Sequence, residues 1–90
     1  MTKINCPMGQ WVEIANGVTS LSFHLIGGTN SAIYKIHTGT SAPAQDTDIF
    51  ISYALSRFTS SSNAVAVMYN NSTAENVYVM CVDIDGYVII

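Results

Sequence analysis

The sequence predicts an all-β domain, a small antiparallel β-sandwich or barrel of about seven short strands. Three observations lead there. Apolar and polar residues alternate with period two in several stretches, no long stretch carries the helical period of 3.6, and turn-forming residues separate the stretches at short intervals. At 90 residues the chain has the length of one domain, 1–90, and so short a chain buries a small fraction of its surface.

Taken in chain order, Trp11 to Ile14 reads as a short opening strand, and Asn16-Gly17 as a hairpin turn leading into Val18. From Val18 to Leu25, Leu21, Phe23 and Leu25 share one face and Ser20, Ser22 and His24 the other, the pattern of a half-buried strand. Gly27-Gly28-Thr29-Asn30 then turns the chain into Ala32 to His37, where β-branched and aromatic residues favour a strand. Gly39 to Asp48 is small and polar with one proline, an irregular loop or extended arm. Ile49 to Leu55 is read as a strand with an irregular end, although Tyr53 to Phe58 also suits a helical turn.

Ala64 to Tyr69 and Val77 to Asp83 are strongly β-branched, with polar turns at Ser60-Ser61-Ser62-Asn63 and Asn70-Asn71-Ser72-Thr73. They are expected to pair with each other as antiparallel neighbours. Asp85-Gly86 carries the signature of a type I′ hairpin, which needs positive φ at both central residues, and the last four residues form a closing strand.

Composition limits the functions open to such a domain. Hydrophobic residues are 49% and charged residues 10% of the chain, against about 25% charged in ordinary soluble domains. Its surface must therefore be built from Ser, Thr, Asn and Gly, with few long side chains whose rotamer entropy resists contact. Such a surface suits a protein interface, and the natural expectation is an oligomer or assembly subunit. Unguarded strand edges offer a way to assemble. The net charge of −3 sets Glu13, Asp46, Asp48, Glu75, Asp83 and Asp85 against Lys3, Lys35 and Arg57. Three scattered bases cannot release the counterions that nucleic-acid binding depends on, so no nucleic acid is expected. Met1 to Met8 lack the apolar stretch of a signal peptide and no run reaches the roughly 20 apolar residues of a membrane helix, so no membrane is expected. The chain is expected in the host cytosol unless an assembly carries it out.

Residues that might carry chemistry have simpler roles. His24 and His37 could each serve a nucleophile such as Ser22, Cys6 or Cys81, but both lie on the polar or mixed face of predicted strands. Zinc would have to use Cys6, His24, His37 and Cys81, none of which falls in a C-x₂₋₄-C or H-x₃₋₅-H pair. Asp83-Ile84-Asp85-Gly86 resembles the start of a calcium loop, yet such a loop needs an acid six residues beyond its glycine, and Tyr87-Val88-Ile89-Ile90 hold none. Asp46 and Asp48 read as solvated loop acids. Gly27-Gly28 lacks the Lys-Ser or Lys-Thr of a phosphate loop. Asn70-Asn71-Ser72 and Asn71-Ser72-Thr73 fit the glycosylation sequon, which matters only in a secreted chain. Cys6 and Cys81 could be bridged if the first and last strands were neighbours, but a cytosolic chain keeps free thiols, and Cys81, inside Val79 to Val82, reads as a small core hydrophobe. Trp11, Tyr34, Tyr53, Tyr69, Tyr78 and Tyr87 serve either as core and interface anchors or as stacking platforms for sugars. No catalytic, metal or cofactor residue is assigned, and an enzyme is not expected.

The stretch Gln10 to Ser20, an alternating strand, Ala32 to Ala44 and then Asp46-Thr47-Asp48 together resemble small virion proteins of tailed bacteriophages. The shared features are a Trp-x-x-Ile-Ala-x-Gly opening strand, a strand followed by a proline-containing, Asp-bearing loop, and a valine-rich closing hairpin. The likeness covers most of the chain and departs between Ser52 and Ser62, where the family's Pro-Gly-Glu turn is missing. It implies a particle protein: a capsid decoration (cement) subunit, forming a homo-oligomer, a trimer first of all, against the major capsid protein. A tail fibre or a receptor- or carbohydrate-binding module among tail proteins is the alternative.

Overall fold

A computed structural model describes residues 1–28, 31–55 and 63–90. The expected turn residues Thr29 and Asn30, the helical reading of Ser56 to Phe58, and the turn and family departure reaching Ser62 lie outside the described residues. The fold is all-β. Strands β1 (Lys3–Cys6), β2 (Val12–Gly28), β3 (Ala32–Gly39), β4 (Ile51–Leu55), β5 (Asn63–Cys81) and β6 (Gly86–Ile89) form one six-stranded sheet in the order β1-β6-β2-β5-β3-β4. Every neighbouring pair is antiparallel, and the sheet curls into a half-barrel.

A long ribbon of β2 against β5 is the spine of the sheet. Along one half, from Ser20↔Asn70 to Gly28↔Asn63, the sheet extends past β2 to β6, which pairs His24–Ile26 with Ile89–Tyr87, and on to β1. Along the other half it extends past β5, whose Asn76–Cys81 pair with β3, and on to β4. Curling brings the two halves face to face over one core, in which Cys6, Phe23, Leu25 and Val88 meet Tyr34, Ile36, Val77, Val79 and Cys81. The period-two reading holds where it was clearest. Phe23 and Leu25 are buried while Ser20, Ser22 and His24 are exposed, and Ala32, Tyr34 and Ile36 are buried on β3.

The turn signals fared differently from the strands. Asn16-Gly17 does not reverse the chain: β2 runs through it, with shifts of register on either side of Ala15. Of these two residues only Gly17 has positive φ, 65°, and its amide donates to Asn76 Oδ1 at 2.9 Å. A type I′ turn needs two positive φ values, whereas a bulge takes one left-handed glycine, so the same dipeptide bends a strand that continues. Asn70 to Thr73 likewise does not separate two paired strands. Ala64 to Tyr69 and Val77 to Cys81 belong to β5 and both pair with β2, not with each other. Between Ser20↔Asn70 and Val18↔Glu75, Thr19 on β2 faces Asn71, Ser72, Thr73 and Ala74 on β5, and the excess is taken up as a large bulge. Glu75 organises it, accepting from Tyr69 Oη at 2.7 Å and Asn71 Nδ2 at 2.6 Å.

Asp85-Gly86 is not a hairpin. Neither residue has positive φ, and β2 lies between β5 and β6 in the sheet. The acids of this connection accept backbone amides instead: Asp83 Oδ1 takes Ile33 N at 3.0 Å and Asp85 Oδ1 takes Met8 N at 2.9 Å. Strand β1, paired to β6 through Lys3↔Ile89 to Cys6↔Gly86, has no counterpart in the sequence reading. Its four residues are too few for alternation to register.

Tyr34 joins the two halves of the barrel through its ring and hydroxyl. Fully buried on β3, it donates to the Ile26 carbonyl of β2, lies 3.2 Å from the Tyr87 carbonyl and accepts the Tyr87 amide of β6 at 3.1 Å. Gly86 is what lets it pass, since a Cβ there would collide with the Tyr34 hydroxyl and stand 2.9 Å from Cys81 Sγ. Tyr34→Phe strands buried backbone groups and is expected to cost about 1–3 kcal/mol, and Gly86→Ala a similar amount by overpacking. In urea unfolding followed by circular dichroism, the double substitution is expected to cost less than the sum of the two. Strict additivity would show that the hydroxyl and the missing Cβ are not coupled.

Candidate functional site

The curl leaves one side of the barrel open between two strand edges. Among the described residues, strand β4 is hydrogen-bonded to β3 alone, and Ala64–Asn70 of β5 to β2 alone. Between these edges runs a groove of about 320 Å³. Its floor is core: Phe23, Ile36 and Val67. Its walls include Ile49, Phe50, Ile51 and Tyr53 on one side and Met68 and Tyr69 on the other. Ile49, Ile51 and Met68 are 70%, 63% and 82% exposed, so large apolar side chains stand in solvent at the place where backbone edges also lack partners.

Local interactions hold the β4 wall in place. The loop after β3 returns through Ala44 and Thr47, whose carbonyl and amide bond at 3.1 Å, and Thr47 Oγ1 accepts the Ile49 amide at 3.2 Å. His37 Nδ1–H donates to the Ile49 carbonyl at 2.7 Å, which ties the approach to β4 back onto β3. Lys35 places its ammonium 4.3 Å from the centre of the Phe50 ring. Among the described residues the lining contains no Asp, Glu, Lys or Arg. A groove of this kind attracts apolar, uncharged surface, and its polar groups among the described residues are the engaged His37, Thr38 and the hydroxyls of Tyr53 and Tyr69.

The residues weighed for chemistry are dispersed. His24 is exposed on β2, opposite Ala66 and Ile89, while His37 sits in an aromatic row with Trp11 and Tyr78, each ring centre 6.1 Å away. Asp46 and Asp48 are exposed in the loop before β4. Among the described residues no three of His, Cys, Asp or Glu gather as a metal would require. Of the aromatics proposed as stacking platforms, Tyr34 and Tyr78 are buried and closed to a ligand, whereas Tyr53 and Tyr69 line the groove. No helix among the described residues is long and apolar enough to cross a membrane.

Met68 is the groove residue that sequence reasoning passed over. A signal existed: alternation along Ala64 to Tyr69 sets Val65, Val67 and Tyr69 inward and puts a methionine on the outer face with Ala64 and Ala66, where a polar residue is usual. Comparison with protein-family models, with curated proteins and with solved structures finds no match.

Cys6 and Cys81 are free and buried. Burial, and then the neighbouring Cys81, push the Cys6 thiol up to about 11, and burial raises Cys81 as well. Burial also raises the Tyr34 hydroxyl. A group whose pKa is higher folded than unfolded stabilises the fold fully below its unfolded value. For Cys6 that stability falls away as pH climbs from about 9 to about 11. Urea midpoints are therefore expected to be flat from neutral pH to about 9 and to decline above it. Neither thiol is expected to react with a thiol reagent at pH 8 until urea is added, and rapid native labelling would contradict the burial of both.

Proposed function

We propose that this chain is a structural subunit of a phage particle, a capsid decoration (cement) protein that acts by protein–protein contact. The observation that carries the contact reading is the open side: two unpaired strand edges flanking an uncharged apolar groove, with Ile49, Ile51 and Met68 projecting beside it. Exposed apolar patches bounded by polar surface mark interaction sites, and an open edge takes an added strand through main-chain hydrogen bonds. The virion assignment is supported by the resemblance of Gln10 to Ser20 and Ala32 to Ala44 to virion proteins of tailed phages, and by a composition poor in charge. Its partners on this reading are the major capsid protein and further copies of itself, in the virion and, during assembly, in the host cytoplasm. A tail fibre or carbohydrate-binding tail module is the second reading, favoured by Tyr53 and Tyr69, whose rings line the groove where a sugar could stack.

Antibody raised against the purified chain is expected to decorate the heads of phage particles from the source culture in negative-stain microscopy. Label confined to the tail would select the second reading. Particles free of the chain in every fraction would overturn both.

A further inference from the structure

We propose that the open side receives a second copy of this chain, β4 of one copy pairing antiparallel with β4 of the other about a twofold axis. The proposal rests on the contact reading of this side and not on the virion assignment.

Three properties of the groove select the occupant. First, β4 presents an unpaired row of amides and carbonyls, which an extended strand satisfies and a helix or small molecule does not. Second, the occupant must be free of charge where it meets the groove. A charged side chain laid over Phe23, Ile36 and Val67 would be buried with no residue of opposite sign among the described lining residues to pair with it. Third, this chain supplies a segment of that description. From Ile49 to Leu55 there is no Asp, Glu, Lys or Arg, so two such segments meet without repulsion, and two of the three exposed apolar side chains beside the groove, Ile49 and Ile51, belong to the segment itself.

Natural edges are usually guarded by lysine, proline or a bulge. Strand β4 has none: its five residues, Ile51-Ser52-Tyr53-Ala54-Leu55, pair in regular register with β3. The opposite edge of the sheet differs, being the short β1 with Lys3 at its head. Along β4, Ile51 and Tyr53 line the groove and Leu55 is buried, so these odd positions share the inner face. Placing the axis at Ser52 sets Ile51 of each copy opposite Tyr53 of the other on that face. The two open cores then become continuous. A self-complementary edge closes on itself after two copies, so the pairing is a dimer and departs from the trimer that the phage resemblance implies.

Sedimentation velocity of the full chain from micromolar to submillimolar concentration tests this. A monomer–dimer equilibrium is expected, weakened roughly tenfold or more by Ile51→Lys, which buries an unpaired charge at the seam. Met8→Lys, at an exposed residue away from the groove, is expected to leave it unchanged. Circular dichroism of each variant checks the fold, which Ile51→Lys is expected to keep because the side chain is largely solvent-exposed in one copy. As a second measurement, Ser52→Cys is expected to give an interchain disulfide on oxidation with glutathione disulfide, since the axis places this position against itself. A monomer at every concentration, a trimer, or a dimer indifferent to Ile51→Lys would overturn the proposal. A monomer that still decorates particles would reject the pairing and leave the virion reading standing, while a dimer absent from particles would do the reverse.

Discussion

The bond network of the Tyr34 hydroxyl is the constraint on which the rest of this fold depends. A single sheet of six strands could lie open, and its two faces would then each need a covering layer. Here the sheet covers itself, and Tyr34 reaches from β3 to the Ile26 carbonyl and to the Tyr87 backbone across the core. Those partners are half-buried backbone groups beside the fully buried hydroxyl, so an unmade bond carries part of the cost of a desolvated polar group. The glycine at 86 and the thiol of Cys81 shape the space through which the ring passes. One side chain thus fixes how far the sheet curls.

From that degree of curl the open side follows. The curl brings the two ends of the ribbon together where Tyr34, Gly86 and Cys81 meet, and the acids of the connection, Asp83 and Asp85, hold that junction by accepting the amides of Ile33 and Met8. On the side flanked by β4 and the first half of β5 no strand completes the closure, and core residues Phe23, Ile36 and Val67 form a groove floor instead of being sealed. A small domain gains little from its own core, and surface shared with a neighbour extends it. The two long strands matter for the same reason. Bulges at Gly17 and at Asn71 to Ala74 let β2 and β5 bend enough to serve both halves without breaking into separate strands.

Electrostatics reinforces the division of the surface. The charged side chains that contact the groove region are turned to other uses: Lys35 covers Phe50. Elsewhere, Glu75 braces a bulge and Lys3 lies 4.4 Å from the Tyr87 ring centre on the far edge. Among the described residues, what remains at the open side is polar only through Thr38, His37 and the tyrosine hydroxyls.

Much of this was legible in the sequence, and the division is physical. Side-chain alternation is a local property of a pleated strand, so the inward faces of Phe23 and Leu25 followed from spacing alone, as did the all-β class, whereas the alternating apolar residues of Ala32 to His37 left open which face of β3 is buried until the core placed Tyr34 and Ile36. The scarcity of charge is also written in composition. Turn dipeptides were less informative because Asn16-Gly17 and Asp85-Gly86 encode backbone permissions, and a permitted conformation serves a bulge or a crossover as readily as a hairpin. Which strands are neighbours depended on long-range partners: the Asn76 side chain awaiting the Gly17 amide, Glu75 gathering Tyr69 and Asn71, Asp83 reaching Ile33. The groove belongs wholly to that level. Ile49, Ile51 and Met68 are ordinary strand residues in sequence, and only the curl set by Tyr34 brings their edges to face each other across an unsealed core.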